Sequence, residues 1–349
     1  MEDLIDKLYA EHNLSKQEWV QLIENYKLTD TNYLFKLSRE LQQKYYGNKV
    51  YARGLIEISN YCRNDCYYCG IRKSNKKVER YHLSKDEILE CCHSGYELGF
   101  RTFVLQGGED ASHTDDWLVE LVTAIRGEFK DCATTLSLGE RDRKSYEKLY
   151  QAGANRYLLR HETADYDHYN TIHPEGMSGE YRQKCLYDLK DIGYQAGTGF
   201  MVGVKGQTPK NLADDMIFIH RLKPHMVGIG PFVPHHETPF GKEPGGTVEL
   251  TLFMIGLLRL MLPKVLLPST TALGTIHKNG RGKGILAGAN VVMPNLTPVK
   301  IRGKYELYDN KLSVGAESAE GIKQLEDALE KIGYVLSFER GDHPDKTKK

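Results

Sequence analysis

Three cysteines in one short run, NYCRNDCYYCGIR, are the residues of this 349-residue chain whose spacing most directly implies chemistry: Cys62, Cys66 and Cys69, with three and then two residues between them. Thiolates grouped in this way bind soft metals. Structural zinc requires a fourth protein ligand, normally from a second CxxC or an HxxxH pair, and no such partner lies downstream. On a [4Fe–4S] cube, three thiolates leave one iron without a protein ligand, and an open iron takes a small molecule. Zinc, or plain thiols, stays the alternative on spacing alone. Of the other cysteines, Cys91 and Cys92 are neighbours in a predicted helix and point about 100° apart, which makes a shared metal awkward, while Cys132 and Cys185 are isolated. All four read as small buried hydrophobes. An odd total of seven, three of them crowded together, fits a reduced compartment better than a disulfide framework.

Further candidates fall at the ends of predicted strands. One run leads into Gln106, Gly107, Gly108, Glu109 and Asp110, where glycines let the backbone approach a ligand and the acid can accept from an ammonium. Along another, Arg156, Leu158, Arg160 and Glu162 share one face by the two-residue period. Turned inward, that face buries two guanidiniums and a carboxylate that must meet an anionic or polar ligand; turned outward, it sets both arginines against apolar helices. Thr135 and Ser137 share a face, and Thr270 and Thr271 close a later run, placing hydroxyls for neutral hydrogen bonds, although threonine is also simply a good strand former. His235 and His236, adjacent in a loop beside Pro234, read as surface residues, not metal ligands. GVKGQTPK, from Gly203 to Lys210, lacks the Gly-Lys-Ser/Thr ending of a phosphate loop and reads as a turn before a capped helix.

The elements that must position these groups follow a regular rhythm. Residues 1–49 have helical spacing, with Leu4, Ile5 and Leu8, then Trp19, Leu22 and Ile23, then Leu34, Leu37 and Leu41 on one face each. Eight short β-branched or aromatic runs follow, at 54–59, 102–106, 133–138, 156–161, 195–202, 226–230, 265–270 and 290–293. Amphipathic helices are predicted over 85–98, 116–129, 143–151, 181–192, 209–222 and 250–261, with only a weak helix in the glycine-rich 277–288. The alternation predicts an α/β fold, a (β/α)8 TIM-type barrel over 50–300 with an N-terminal helical extension (1–49) and a C-terminal segment (301–349) holding a closing helix over 319–332. An open doubly wound sheet is the competitor, but its G-x-G-x-x-G fingerprint after the first strand is missing. The charged end, ERGDHPDKTKK, is expected to fray.

Forty-seven basic residues cancel forty-seven acidic ones. A chain with no net field has no electrostatic footprint for nucleic acid or an anionic membrane, so function belongs in a pocket. The start carries acids where a signal peptide would carry bases, so no export signal is expected, and Arg259, Pro263 and Lys264 interrupt the longest apolar window, 250–267, before it could span a bilayer. The expected location is cytoplasmic.

C-x3-C-x2-C in the loop after a barrel's first strand resembles the radical S-adenosylmethionine (SAM) superfamily. The resemblance implies a [4Fe–4S] cluster ligated by Cys62, Cys66 and Cys69, whose open iron chelates the amino and carboxylate groups of SAM, and a one-electron cleavage to methionine and a 5′-deoxyadenosyl radical. It sets Tyr68 against adenine and the Gln106–Gly107–Gly108–Glu109 string at the amino group. More narrowly, RYLLRHETA (156–164), GFMVGVKGQT (199–208), VGIGPFVPHHETPF (227–240), LLPSTTALGTI (266–276) and GANVVMPNLTP (288–298) resemble the HydE-type maturases of [FeFe]-hydrogenase, relatives of biotin synthase and methylornithine synthase. This implies SAM contacts from Glu162, Arg182 and Met201. It also implies a closed cavity lined by Arg156, Arg160, Thr135, Thr270, Thr271, Tyr305, Tyr308 and Met293, where the radical acts on a small cysteine-bound iron–cyanide–carbonyl species. That substrate would come from a partner maturase and the product would pass to a scaffold GTPase, with a one-electron reductant supplying the cluster. Some members carry a second cluster near the C-terminus; with no cysteine after Cys185, a second cysteine-bound cluster is not expected. The rival readings are a related barrel acting on an amino acid or thiol compound, and an iron-complex carrier that never cleaves SAM. Replacing one thiol tests the ligand reading: Cys66→Ala should abolish both the absorbance of the reconstituted cluster and 5′-deoxyadenosine formation, and intact activity would refute it.

Overall fold

Six strands pair side by side in chain order, all parallel: Gly54–Ser59, Thr102–Gly107, Ala133–Ser137, Ala154–Leu158, Gln195–Thr198 and Met226–Val227. The computed structural model describes residues 1–346. Its sheet continues through single bridges, Met226 to Leu266 and Pro268 to Val291, and returns to the first strand through Leu55 and Asn295. Eight strand positions therefore close a ring. The seventh run is held by bridges alone, and the fourth stops at Leu158, short of the expected 161, because the chain leaves the extended region at Glu162, whose φ is +66°.

The helices between strands start where the capping residues stand. Ser84 and Glu87 form a reciprocal box at the head of Lys85–Glu97, and Thr208 caps Pro209–Leu222, with proline in the first turn where its missing N–H costs nothing. Cys91 and Cys92 lie buried in the first of these, and the glycine-rich stretch holds a short helix, Gly280–Leu286. Val248–Met261 is apolar all round because it is covered on both sides, by the barrel and by the N-terminal helices Glu2–Glu11 and Thr31–Tyr46. Its one cation, Arg259, is satisfied by the carbonyls of Pro263, Val265 and Gly288 and by Asn290 Oδ1. No helix among the described residues is long and apolar enough to cross a membrane.

Two short strands escaped the periodicity. Lys49–Ala52 pairs in parallel with Val291–Val292 on one side and Val335–Ser337 on the other. This sheet leads the C-terminal segment under the barrel, and the charged end does not fray over its described residues; Thr347, Lys348 and Lys349 lie outside them. Asp342 accepts from Arg156 Nη2 at 2.7 Å, Gln195 Nε2 at 2.6 Å and Arg340 Nε at 2.6 Å, and the Arg340 carbonyl accepts from Arg156 and from Thr102. Arg156, fully buried, thus finds its counter-ion within the chain, at the floor of the barrel, and needs no ligand.

Burial pushes Asp342 upward, but the charge and hydrogen bonds of Arg156, with Gln195 and Arg340, outweigh it and hold the carboxyl below its usual range. A depressed folded-state pKa stabilises above the unfolded value and is lost as pH falls through the folded one. Asp342→Ala, which leaves a buried guanidinium unpaired, should cost about 3 kcal/mol at neutral pH in urea denaturation. The gap from wild type should narrow on acidification.

Candidate active site

The loop after the first strand is shaped by its own polar side chains. Arg80 donates to the carbonyls of Asn60, Ile71, Arg72 and Asn75, and Asp65 accepts from Arg72 and from Ser74. Cys62, Cys66 and Cys69 are partly exposed free thiols along it. Burial raises all three pKa values, Cys69 to about 12, and the neighbouring thiols raise Cys66 and Cys69 further. Thiols this close in a low-dielectric wall ionise together only around a cation, which is what a metal centre supplies. A glycine makes room for them: a Cβ on Gly108 would fall 2.8 Å from Cys62 Cβ and 2.1 Å from the Tyr61 carbonyl oxygen. The other four cysteines are buried elsewhere, so the donor set is three thiolates and suits an iron–sulfur cube with one open iron better than a closed zinc site.

Charged groups surround the thiols. Glu109 acts electrostatically on Cys62, Arg182 on Cys66 and Glu162 on Cys69. Glu109 is held by the exposed Arg63 through Nε at 2.9 Å and by the Glu140 N–H at 3.0 Å. Arg182 donates to Glu140 Oε1 at 2.7 Å, while its Nε is buried without a partner among the described residues. Tyr68 sits 3.0 Å from His173 Nε2 through its hydroxyl and packs against the apolar group of Ile172, Met201, Val204, Phe232 and Phe240. A 470 Å³ cleft is lined by Arg63, Glu109, Glu140 and Arg141.

Glu162 is one of four non-glycine residues with positive φ among those described, a conformation that persists only where the surroundings impose it. They do so on both sides. The Glu162 N–H donates to the Gly199 carbonyl at 3.1 Å, and Asp215 Oδ1 accepts from the Ala164 N–H at 2.6 Å and faces His161 Nε2 at 3.2 Å. Burial holds His161 neutral, lowering it to about 3, and pushes Asp215 well above the carboxylate range.

Strand ends stay accessible where strand starts are sealed: Thr102–Leu105 is fully buried, whereas Gln106 and Gly107 are not. Here Arg160 Nε is buried without a hydrogen-bond partner among the described residues, and Arg160 Nη2 lies 3.0 Å from Glu162 Oε2; the hydroxyls of Thr270 and of Thr135, which is in register with Arg156, are likewise buried without partners. The Tyr305 hydroxyl is 3.4 Å from Gln106 Nε2, Tyr308 is within electrostatic reach of Arg160, and Met293 packs lower, against the Met226–Leu266–Val291 group. Thr271 does not end a strand; it opens the helix Thr271–Ile276 and donates to Glu317. Of the two inward arginines, only Arg160 reaches this end.

Sequence reasoning passed over Glu57, a fully buried carboxylate on the first strand, paired with Lys311 and accepting from Asn295 Nδ2 at 2.9 Å. An acid inside the apolar run GLIEIS, in phase with Leu55, was the available signal. Lys311 belongs to a strap, residues 304–311, tied to the cysteine loop by Gly70 N–H to the Leu307 carbonyl (2.8 Å) and Asn60 Nδ2 to the Lys304 carbonyl (2.7 Å).

Residues 56–219 match the radical SAM superfamily, which accounts for a thiol trio at the mouth of a parallel barrel. The chain is 44% identical over 86% of its length to the [FeFe] hydrogenase maturase subunit HydE of Thermotoga maritima, of which it covers 85%. It belongs to the HydE family and is a radical SAM enzyme. It is also 30% identical to a 3-methylornithine synthase of Methanosarcina acetivorans, over 86% of this chain and 84% of that one. Among solved structures it resembles methylornithine synthase (PylB), with TM-score 0.82, 27% identity and coverage of 96% and 97% of the two chains. The fold also matches the hydrogenase maturase HydG, with TM-score 0.80, 21% identity and coverage of 96% and 75%.

Asp215→Ala would leave two buried donors without an acceptor, at about 1–3 kcal/mol each, and release Glu162 from its imposed conformation. The expected outcome is a lower urea midpoint together with weaker SAM retention in equilibrium dialysis. Asp215→Asn, isosteric with the neutral acid, should stay close to wild type on both.

Proposed function

We propose that this chain cleaves SAM reductively at a [4Fe–4S] cluster held by Cys62, Cys66 and Cys69 and directs the resulting radical at a small cysteine-bound iron–cyanide–carbonyl precursor in the assembly of the [FeFe]-hydrogenase active site. When bound, the cluster supplies one electron to SAM and the 5′-deoxyadenosyl radical follows. The chain's own residues bind and orient. Tyr68 and Met201 offer an apolar wall for adenine, Glu109 an acceptor for the ammonium, Arg182 a cation for the carboxylate side, and Glu162 an acceptor fixed by its backbone. Gln106, Gly107 and Gly108 let the ligand approach the main chain.

The observation that carries the substrate half is Arg160. Its guanidinium stands at the mouth of the barrel with Nε unpartnered, and the hydroxyls of Thr135 and Thr270 are likewise buried without partners among the described residues. A cation flanked by neutral donors suits a substrate bearing cyanide and carboxylate. Tyr305 and Tyr308, carried on the strap, and Met293 complete the wall, while Arg156 and Thr271 belong to the floor and to the Glu317 contact. The strap keeps bulk water and stray hydrogen donors from the radical, and delivery from a partner maturase, release to a scaffold GTPase and entry of a one-electron reductant all require that it open.

A second reading, action on a free amino acid, is favoured by the likeness to methylornithine synthase, and the same Arg160 would then hold an α-carboxylate. Anaerobic reconstitution followed by dithionite and SAM separates an enzyme from a carrier, since a carrier yields no 5′-deoxyadenosine. With the iron precursor present, Arg160→Leu should leave SAM cleavage near wild type and lower precursor conversion at least tenfold, about 1.4 kcal/mol. Unchanged conversion would move the substrate away from Arg160.

A further inference from the structure

The loop after the sixth strand and the strap meet at a cluster that the chemistry above does not use. His235, His236 and Asp309 each offer one ligand atom, and all these atoms lie within 4.8 Å of one another. The sequence reads both histidines as surface residues, yet only the His236 side chain is exposed, at 64%; that of His235 is 4% exposed. We propose that these three residues bind one divalent transition-metal ion of the zinc, cobalt or nickel type, and that the ion clamps the strap to the loop over the barrel mouth.

The geometry is close to what such an ion needs. Asp309 Oδ1 is 2.7 Å from His236 Nδ1 and 3.9 Å from His235 Nδ1. These bracket the roughly 3.4 Å that separates neighbouring ligands of a tetrahedral ion at about 2.1 Å. The two imidazoles stack with centroids 4.8 Å apart and planes 12° apart. His235 Nδ1 accepts from the Glu237 N–H at 3.1 Å, which sets the proton of this ring on Nε2; a metal ion takes the Nδ1 lone pair in place of that N–H. Behind it, Nε2 rests on Gly70, where a Cβ would come within 2.8 Å, so the ring cannot swing away. His236 Nε2 faces Glu237 Oε1 at 3.5 Å, the kind of carboxylate that commonly backs a metal-bound imidazole. Nitrogen and carboxylate donors, two of one and one of the other, suit zinc-like ions and leave room for water.

Binding at His236 Nδ1 takes the place of the proton that now joins that ring to Asp309; the neutral ring carries its proton on Nε2 instead, toward Glu237, with no net release. Asp309 already stitches the two segments, its N–H donating to the Pro234 carbonyl at 3.1 Å and its Oδ2 accepting from the His236 N–H at 3.0 Å. The ion turns that stitch into a coordinate bond two residues from Leu307, which is tied to Gly70 and hence to Cys69. The inference does not depend on what the barrel holds as substrate.

The test uses full-length chain fully loaded with iron, so that the cysteines are occupied, treated with EDTA and then dialysed to equilibrium against micromolar zinc sulfate, with zinc and iron per chain measured together. One zinc per chain is expected, with iron unchanged. Loss of a partner behind a metal-bound imidazole commonly weakens binding 10- to 100-fold, so loss of a direct ligand in His236→Ala or Asp309→Asn should weaken zinc binding at least about tenfold. His236→Ala, at an exposed position, should keep wild-type iron content and SAM cleavage. Zinc uptake equal in wild type and His236→Ala, or no uptake, overturns the site. Backbone hydrogen exchange over 304–311 should slow with zinc in wild type alone; unchanged exchange with zinc bound overturns the clamp.

Discussion

The mouth of this barrel depends on the seam where its first strand meets its last. Leu55 donates to the Pro294 carbonyl at 2.9 Å and accepts from the Leu296 N–H at 2.7 Å, and two residues on the Glu57 N–H donates to Thr297 Oγ1 at 2.8 Å. Side chains continue what the backbone begins, since Asn295 reaches Glu57 and Glu57 holds Lys311. Without the seam the sheet would have two open edges and the cysteine loop, which leaves the first strand immediately above it, would have nothing to lean on. A closed sheet removes that liability and fixes the loop at the same time.

Charge is buried at both ends of the cylinder, with different consequences. At the floor Arg156 meets Asp342, which supplies its counter-charge within the chain. At the mouth Glu57 and Lys311 answer each other, but Arg160 keeps unanswered atoms, and the buried hydroxyls of Thr135 and Thr270 have no partner among the described residues. Buried polar groups left without partners are rare and costly, and where several converge they mark the space a ligand fills. The same fold therefore separates a stability end from a reactive end, as parallel barrels do.

The βα alternation was legible because strands of a parallel barrel, covered on both faces, appear as short continuous apolar runs, and the helices between them carry their own caps. The thiol trio was legible because its spacing lies within eight residues. What was not legible depended on distance. Two-residue alternation puts Arg156 and Arg160 on one face, but the strand stops at Leu158, so Arg156 meets Asp342 at the floor while Arg160 lies beyond the strand end against Glu162. Alternation reports a face and not a depth. Lys49–Ala52 and Val335–Ser337 are too short for any period and exist because each finds the other across most of the chain. Glu57 was visible as an acid in an apolar strand, but Lys311, 254 residues away, could not be assigned to it. The proximity of Asp309 to His235 and His236 was hidden for the same reason.

The floor contact has a consequence for biosynthesis. Translation proceeds from the N-terminus at roughly 5–20 residues per second, so the cysteine loop leaves the ribosome long before residues 340–343, which complete the base beneath Arg156. For on the order of ten seconds or more the nascent barrel has neither its closing strand nor its plug, and its three thiols are open to whatever metals and oxidants the cell contains. The three thiols therefore stay exposed to competing metals and oxidants until residues 340–343 are available to complete the floor.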